Sequence, residues 1–430
     1  MADEEILQGQ VRENLEALGE VEIIVGIPSY NNARTIGQVA KAARDGLLGA
    51  FAGRKALIVN SDGGSKDGTP EVLRQAGIGP DLLMVVEHHL YPVHHLTTPF
   101  HGLPGKGSAF RTLFRIAELS HARAIAIVDA DLSTITPEWF SLLLHPILDL
   151  GYDYVAPHYR RDKYDGTITT GIVYPLTRAL YGRRVRQPMG GEMGISGRLI
   201  RRFLTHQVWN TNVARYGIDL WMTTTAIAEN FQVCQAYLGA KTHHGAGPGP
   251  DLSNLLAQVL GSVFDLMSTY DAVWRNVLGS LPAPLMGIPF KESPEPAAIN
   301  RGRMLALYRQ AIRDLMPVYQ RIISSPQLKA LEGSAGFTDG DFALPDDLWV
   351  AVIYDSALAY HRRVIDREHL LKSLTPLYLG WVASFTRQAE NETPEQVEDR
   401  IEKLCQVFEQ LKPYLINQWP LQTGETRSAS

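Results

Sequence analysis

Two acids one residue apart, Asp129 and Asp131, follow directly on the apolar run at 124–128. Carboxylates at the end of a buried strand are costly to leave unpaired. A hard divalent cation that also coordinates a diphosphate would resolve that cost; the plainer reading is an acidic loop capping the helix that begins near Pro137. A second cluster, residues 60–69, reads Asn-Ser-Asp-Gly-Gly-Ser-Lys-Asp-Gly-Thr. Its glycines allow a tight turn and close approach to a ligand, and Asp62 can accept the ring N–H of a uracil or a guanine. A third, Pro104-Gly105-Lys106-Gly107, opens a helical segment, where backbone N–H groups and a lysine suit a diphosphate. It lacks the Walker spacing. A fourth runs from Gly26 through Pro28, Ser29 and Tyr30 to Asn31 and Asn32, and reads as a strand-to-helix turn with Asn as cap.

These clusters need a frame that brings them together. Short apolar runs at 22–27, 55–60, 82–86, 124–128 and 152–156 read as strands. Residues 35–45, 67–75, 107–119 and 137–150 read as helices between them. Such alternation predicts a mostly parallel sheet covered on both faces, with ligands beyond the C-terminal strand ends. Beyond residue 250 the spacing becomes helical, at 252–273, 299–325, 345–366 and 394–414. The expected organisation is an N-terminal helical arm over 1–20, an α/β domain over 21–250, a mainly helical region over 251–420 and a disordered tail over 421–430.

Composition narrows the classes. The chain has 430 residues, a formal net charge of -5 and 2 Cys. The weak acidity argues against a nucleic-acid partner. Two distant thiols make no disulfide framework and fit a reducing, cytoplasmic setting. No stretch of about 18 apolar residues predicts a membrane span. The histidine-rich stretch His88, His89, His94, His95 and His101 reads as a polar loop before the Pro-Gly-Lys segment, with zinc the lesser alternative.

Taken in order, the four clusters resemble family-2-like glycosyltransferases of the GT-A (Rossmann-like) fold, and more narrowly the retaining mannosylglycerate and glucosyl-3-phosphoglycerate synthases. The resemblance implies that Asp129 and Asp131 serve the metal and sugar nucleotide, with Asp131 the direct ligand, and that Asp62 holds the base. It implies donor contacts from Pro28, Tyr30, Asn32 and Ala130, and places Lys106 near the diphosphate. Gln187-Pro188-Met189-Gly190-Gly191-Glu192 is similar to the stretch lining the donor sugar, so Gly190, Gly191 and Glu192 are expected at its hydroxyls. Gly217-Ile218-Asp219 is similar to the stretch whose acid sits near the acceptor. Lys241-Thr242-His243 is similar to the place where the family supplies a histidine to the metal, which makes His243 a second protein ligand for Mg or Mn, with His244 the lesser choice.

The resemblance also places the acceptor at residues 158–161 and 166–169, with Arg161 and Thr169 the favoured contacts. An arginine pairs bidentately with a carboxylate. The implied reaction moves a hexose from a UDP or GDP sugar to glycerate or 3-phosphoglycerate, with Lys106, Glu192 and Asp219 as the catalytic set. Thr167 stands where the phosphoglycerate enzymes commonly have arginine; Arg160, Lys163 or Arg183 would have to compensate. Two alternatives stay open: an inverting transferase acting on a polysaccharide or lipid, and an inactive sugar-nucleotide sensor. The apolar positions of the C-terminal helices are core or oligomer contacts, a homodimer among the options.

Overall fold

The computed structural model describes residues 7, 9–88, 105–209, 211, 213–214, 217–241, 252–288 and 299–420. The chain runs α1 (Gly9–Leu18), β1 (Ile23–Ser29), α2 (Ile36–Ala50), β2 (Ala56–Asp62), α3 (Thr69–Arg74), β3 (Leu83–Glu87), α4 (Lys106–Leu119), β4 (Ala124–Ile127), α5 (Glu138–Leu148) and β5 (Tyr154–Arg160). A π-helical turn, Thr169–Val173, leads into α6 (Tyr174–Tyr181), β6 (Arg183–Arg184), β7 (Met193–Ser196), α7 (Gly197–Thr205), α8 (Ile218–Ala228) and β8 (Val233–Ala240). Then come α9 (Leu252–Thr269), α10 (Asp271–Trp274), β9 (Leu281–Pro282), β10 (Leu285–Met286), α11 (Arg301–Asp314), α12 (Met316–Ile322), α13 (Ser325–Ala335), α14 (Asp346–Arg362), α15 (Arg367–Gln388) and α16 (Pro394–Gln418).

Eight strands form one sheet in the order β10-β8-β5-β7-β4-β1-β2-β3. All neighbours are parallel except β7, which runs antiparallel to both β4 and β5. The sheet is therefore mixed rather than simply parallel. Strand order reverses at β1, with β2 and β3 on one side and β4 on the other, which opens the ligand crevice expected of such sheets. Pro28 lies past the last β1–β4 pair, Gly26 with Ile127, so its missing N–H costs no bond on that side.

Alternation along the strands makes two apolar layers. Ile23, Val25, Ile27, Ile58, Ala124 and Ala126 face α2 and α5 through Val39, Phe140 and Leu143. Ile24, Leu57, Val59, Ile125 and Ile127 face Phe110, Leu113, Phe203 and Trp221 of α4, α7 and α8. That second layer continues without a break into Trp349, Trp381 and Phe408 of the C-terminal helices. The helical region thus shares the core of the α/β part.

The C-terminal helices are segmented more finely than their periodicity predicts. Residues 299–325 split at Leu315, where Pro317 starts α12 in its first turn. α15 was not legible at all, because Pro376 lies inside its 22 residues. α16 begins as expected, with Pro394 at its start and a capping box between Thr393 and Gln396. No helix among the described residues is long and apolar enough to cross a membrane.

Candidate active site

The polar clusters converge at the C-terminal ends of β1, β2 and β4. The loops after β1 and β2 are knitted together: Asn31 N donates to Ser65 Oγ at 2.8 Å, Asn32 N to Thr69 Oγ1 at 2.8 Å and Ala33 N to Asp67 Oδ2 at 2.9 Å. Asn31 itself adopts φ 56°, a left-handed geometry asparagine tolerates. Asn32 Oδ1 accepts from Tyr30 N at 2.8 Å, so its side chain shapes the turn.

Asp62 is buried and accepts four bonds, from Gly64 N at 3.0 Å, Ser65 N at 2.7 Å, Ser65 Oγ at 2.6 Å and Ser29 Oγ at 2.8 Å. A carboxylate has about four acceptor positions. A base N–H would have to displace one of these donors. The turn-forming reading of Asp62 is what this geometry displays.

The centre of the site is a buried chain of alternating charges. Lys106 Nζ donates to Asp219 Oδ2 at 2.9 Å and lies 3.4 Å from Asp129 Oδ1. Lys241 Nζ lies 3.2 Å from Asp129 Oδ2 and donates to Glu192 Oε1 and Oε2 at 2.8 and 2.7 Å. Relative exposures are 1% for Lys106, 7% for Asp129, 0% for Glu192 and 2% for Asp219. Three carboxylates against two ammonium groups leave this chain one negative charge when all are ionised.

Burial works against the charge on Lys106, but Asp129 and Asp219 outweigh it and hold the ammonium above its usual range. Lys241 behaves alike: burial is overcome by Glu192 and Asp129, with Arg161 pulling the other way. Burial pushes the Asp219 carboxyl up, Lys106 pulls it back and Asp129 adds to the rise. Asp219 Oδ1 is buried with no hydrogen-bond partner among the described residues.

Each member is placed by a local feature. Lys106 opens α4 behind Gly105, whose φ of 65° needs glycine. Gly191 is required because a Cβ there would stand 2.0 Å from Asp129 Oδ2, and one at Gly190 would stand 1.9 Å from Pro157 Cγ. The Gly-Gly pair therefore lies against the aspartate and the β5 proline. Ala130 is fixed by its carbonyl, which accepts from Thr35 Oγ1 at 2.7 Å.

Several expectations change. Lys106 was expected to face a diphosphate; it opens α4 with its ammonium buried between the carboxylates of Asp129 and Asp219. Lys163 was a candidate for a phosphorylated acceptor; it donates to Ala389 O at 2.8 Å and Glu390 O at 2.9 Å, at the end of α15. Arg161 keeps a free side to its guanidinium: Nη1 pairs with Asp165 at 3.1 Å, while Nε is buried without a partner among the described residues. Thr169 opens the π-helical turn and is half-buried. Lys241, which joins Asp129 to Glu192, was not assigned a role from the sequence. The signal that could have found it is the one used elsewhere: a polar residue directly after an apolar run, here 233–240.

For the metal, Asp131 is half-buried on the loop after β4, and a carboxylate with diphosphate oxygens suits a hard cation. Asp129 is engaged by both lysines. His243 and His244 lie outside the described residues, as do His89, His94, His95 and His101. Among the described residues no three His, Cys, Asp or Glu side chains gather to hold a metal.

A mixed sheet with this strand order, a reversal beside β1 and its acids at the ends of β2 and β4 is a GT-A-like fold. Residues 24–209 match the model of Glycosyl transferase family 2, which supports a glycosyltransferase. The match includes Asp62, Lys106, Asp129, Asp131, Arg161, Thr169 and Glu192, but ends before Asp219 and Lys241. No curated protein matches the chain. Among solved structures, glucosyl-3-phosphoglycerate synthase from Mycobacterium tuberculosis with Mn2+, UDP and phosphoglyceric acid is 22% identical, over 60% of this chain and 81% of that one, with a TM-score of 0.41. The same enzyme with Mn2+, UDP-glucose and phosphoglyceric acid is 21% identical over 68% of this chain and 94% of that one, TM-score 0.41. A mycobacterial protein is 24% identical over 62% of this chain and 80% of that one, also at 0.41. Likeness this distant carries no residue-level correspondence.

Proposed function

We propose that the chain transfers a hexose from a UDP or GDP sugar to a small hydroxy acid, glycerate or 3-phosphoglycerate, in a cytoplasmic setting and with Mg or Mn. The observation that carries this reading is the buried chain Asp219–Lys106–Asp129–Lys241–Glu192 at the C-terminal strand ends of a family 2 domain. Buried ion pairs contribute little net stability compared with apolar packing, so a chain of five is best accounted for by function.

In this reading Asp131 and His243 hold the cation. When bound, it supplies charge neutralisation for the departing diphosphate. The two lysines fix Asp129 and Glu192 in place beside the donor hydroxyls. The site's net negative charge suits a sugar that gains positive character as its bond to phosphate lengthens. Arg161, with its unpartnered Nε, holds the acceptor carboxylate beside the π-helical turn at Thr169. In the retaining route the acceptor hydroxyl attacks the anomeric carbon from the face the phosphate leaves. The sugar–phosphate bond breaks, and the acceptor proton passes to a phosphate oxygen.

One observation favours a second reading. Asp219 Oδ1 has no partner among the described residues and burial pushes its carboxyl above the usual carboxylate range, as suits a base. Proton abstraction by Asp219 from the opposite face would invert the anomeric centre.

The test is a screen of UDP-glucose, GDP-glucose and GDP-mannose against D-glycerate and 3-phosphoglycerate, with Mg or Mn and with EDTA. Proton NMR reads the anomer. An α-linked glyceryl product supports the retaining route and a β-linked one the inverting route. Nucleotide release with neither product removes the proposed acceptors, and nucleotide binding without turnover favours a sensor.

A further inference from the structure

Beside the ion chain stands a residue of the 158–161 stretch that the mechanism leaves without a role of its own. Tyr159 lies on β5 directly after a register shift between His158 and Tyr159 in the pairing with β8. Such irregularities re-aim side chains and gather near functional sites. The Tyr159 ring is nearly buried, at 4% exposure, and rests against Trp139 with ring centroids 6.3 Å apart.

Two cations share this ring. Lys241 Nζ lies over it at 5.2 Å from the centroid, and the Arg161 guanidinium carbon lies over it at 5.7 Å. Both distances fall inside the roughly 6 Å range of cation–π attraction. Lys241 belongs to the donor side, through Asp129 and Glu192. Arg161 belongs to the proposed acceptor side. Their charges repel, and one quadrupole holds them together.

We propose that Tyr159 is a positioning residue that couples the acceptor arginine to the donor-side lysine. The inference rests on the functional reading above. When an acceptor carboxylate neutralises Arg161, Lys241 is relieved of the opposing charge, gains more of the ring and settles onto Asp129 and Glu192. Donor binding then strengthens when the acceptor is present, and by linkage the reverse holds. The hydroxyl takes no part: Tyr159 Oη is buried without a hydrogen-bond partner among the described residues. Phenylalanine is therefore expected to serve as well, and an aliphatic residue is not.

The experiment uses the full chain and a readout that needs no acceptor. Calorimetric titration with UDP-glucose and with GDP-glucose, in the presence of Mg, gives the nucleotide-sugar Kd. Arg161→Ala imitates the neutralised arginine and is expected to tighten the nucleotide sugar about fivefold, at the low end of typical couplings. The same shift is expected in a Tyr159→Phe background. It is expected to vanish in Tyr159→Leu, with Tyr159→Met as a second non-aromatic variant should Leu impair folding. A general loss of packing would move Kd in every background but would not abolish the response to Arg161→Ala. An equal shift in the Leu or Met background, or none in the unaltered protein, overturns the coupling alone. Absence of binding by either nucleotide sugar to the unaltered protein overturns the functional reading, and this inference with it.

Discussion

At the scale of single residues, the site is built by exclusion as much as by contact. Gly191 leaves room for Asp129 and nothing more, since a Cβ would stand 2.0 Å from Oδ2. Gly191→Ala is expected to push Asp129 off Lys241. Overpacking costs about 1–3 kcal/mol, and a displacement near 1 Å costs activity on the order of 100-fold. Steady-state kinetics with the nucleotide sugar found in the screen, beside a melting curve, checks this; turnover within about twofold of the parent would show that Asp129 tolerates the shift. Asp219→Asn separates the two mechanisms. As a hydrogen-bonding group Asp219 is only partly replaced by Asn, whereas as a base it is lost, so inversion predicts a fall of about 100-fold or more in kcat. Unchanged kcat removes Asp219 from the catalytic set. Much of this residue set was legible, because glycines and acids follow apolar runs. The partners were not: nothing in the sequence pairs Lys106 with Asp219 across 113 positions.

Elements carry the second layer of control. The proposed acceptor segment is clamped by the C-terminal helices: Trp349 Nε1 donates to Gly171 O at 3.0 Å, and a Cβ at Gly171 would meet Trp381 at 2.2 Å. α16 is tied back in a different way. Lys412 donates to Ala179 O at 2.8 Å and Val277 O at 2.6 Å, at the end of α6 and beyond α10. Burial lowers its pKa from 10.5 to about 8, against a weaker pull from Glu409. A cation whose folded pKa is depressed binds fewer protons folded than unfolded between those values. Stability therefore rises with pH across the window from about 8 to 10.5 through this group, and its cost is fully present below it. Urea unfolding over that range is expected to show a steeper gain for the parent than for Lys412→Met; identical slopes would mean the ammonium is solvated. The sequence offered less at this scale. Strands β1 to β4 could be read because each is a short apolar run with a polar end. β7 and β8 were missed, and with β8 went Lys241. Register shifts such as that at Tyr159 leave no local signature, and a proline within α15 counts against a helix until tertiary packing overrides it.

For the whole molecule, the question is whether the helical region is a separate body. The sequence marks it only as a mainly helical region, since periodicity reveals which face is apolar, never what covers it. The apolar layer joins the two parts: Phe110, Leu113 and Trp221 meet Trp349, Trp381 and Phe408 in one cluster. Arg178 of α6, 1% exposed, reaches across to Glu409 at 2.8 Å and to Glu402 on α16. A shared core predicts that the two parts unfold together. Trp381 is the place to test it, because its ring stacks on Trp349 at 5.7 Å and on Phe385 at 5.2 Å while filling the space above Gly171. Trp381→Ala is expected to cost about 3–5 kcal/mol, as large aromatic truncations in cores do, and to lower a single calorimetric transition. Two resolved transitions, with only the lower one moved, would mean that the helical region melts alone. The acceptor segment at Thr169 would then be ordered by a unit able to release it, and the loss of activity on warming should follow the lower transition.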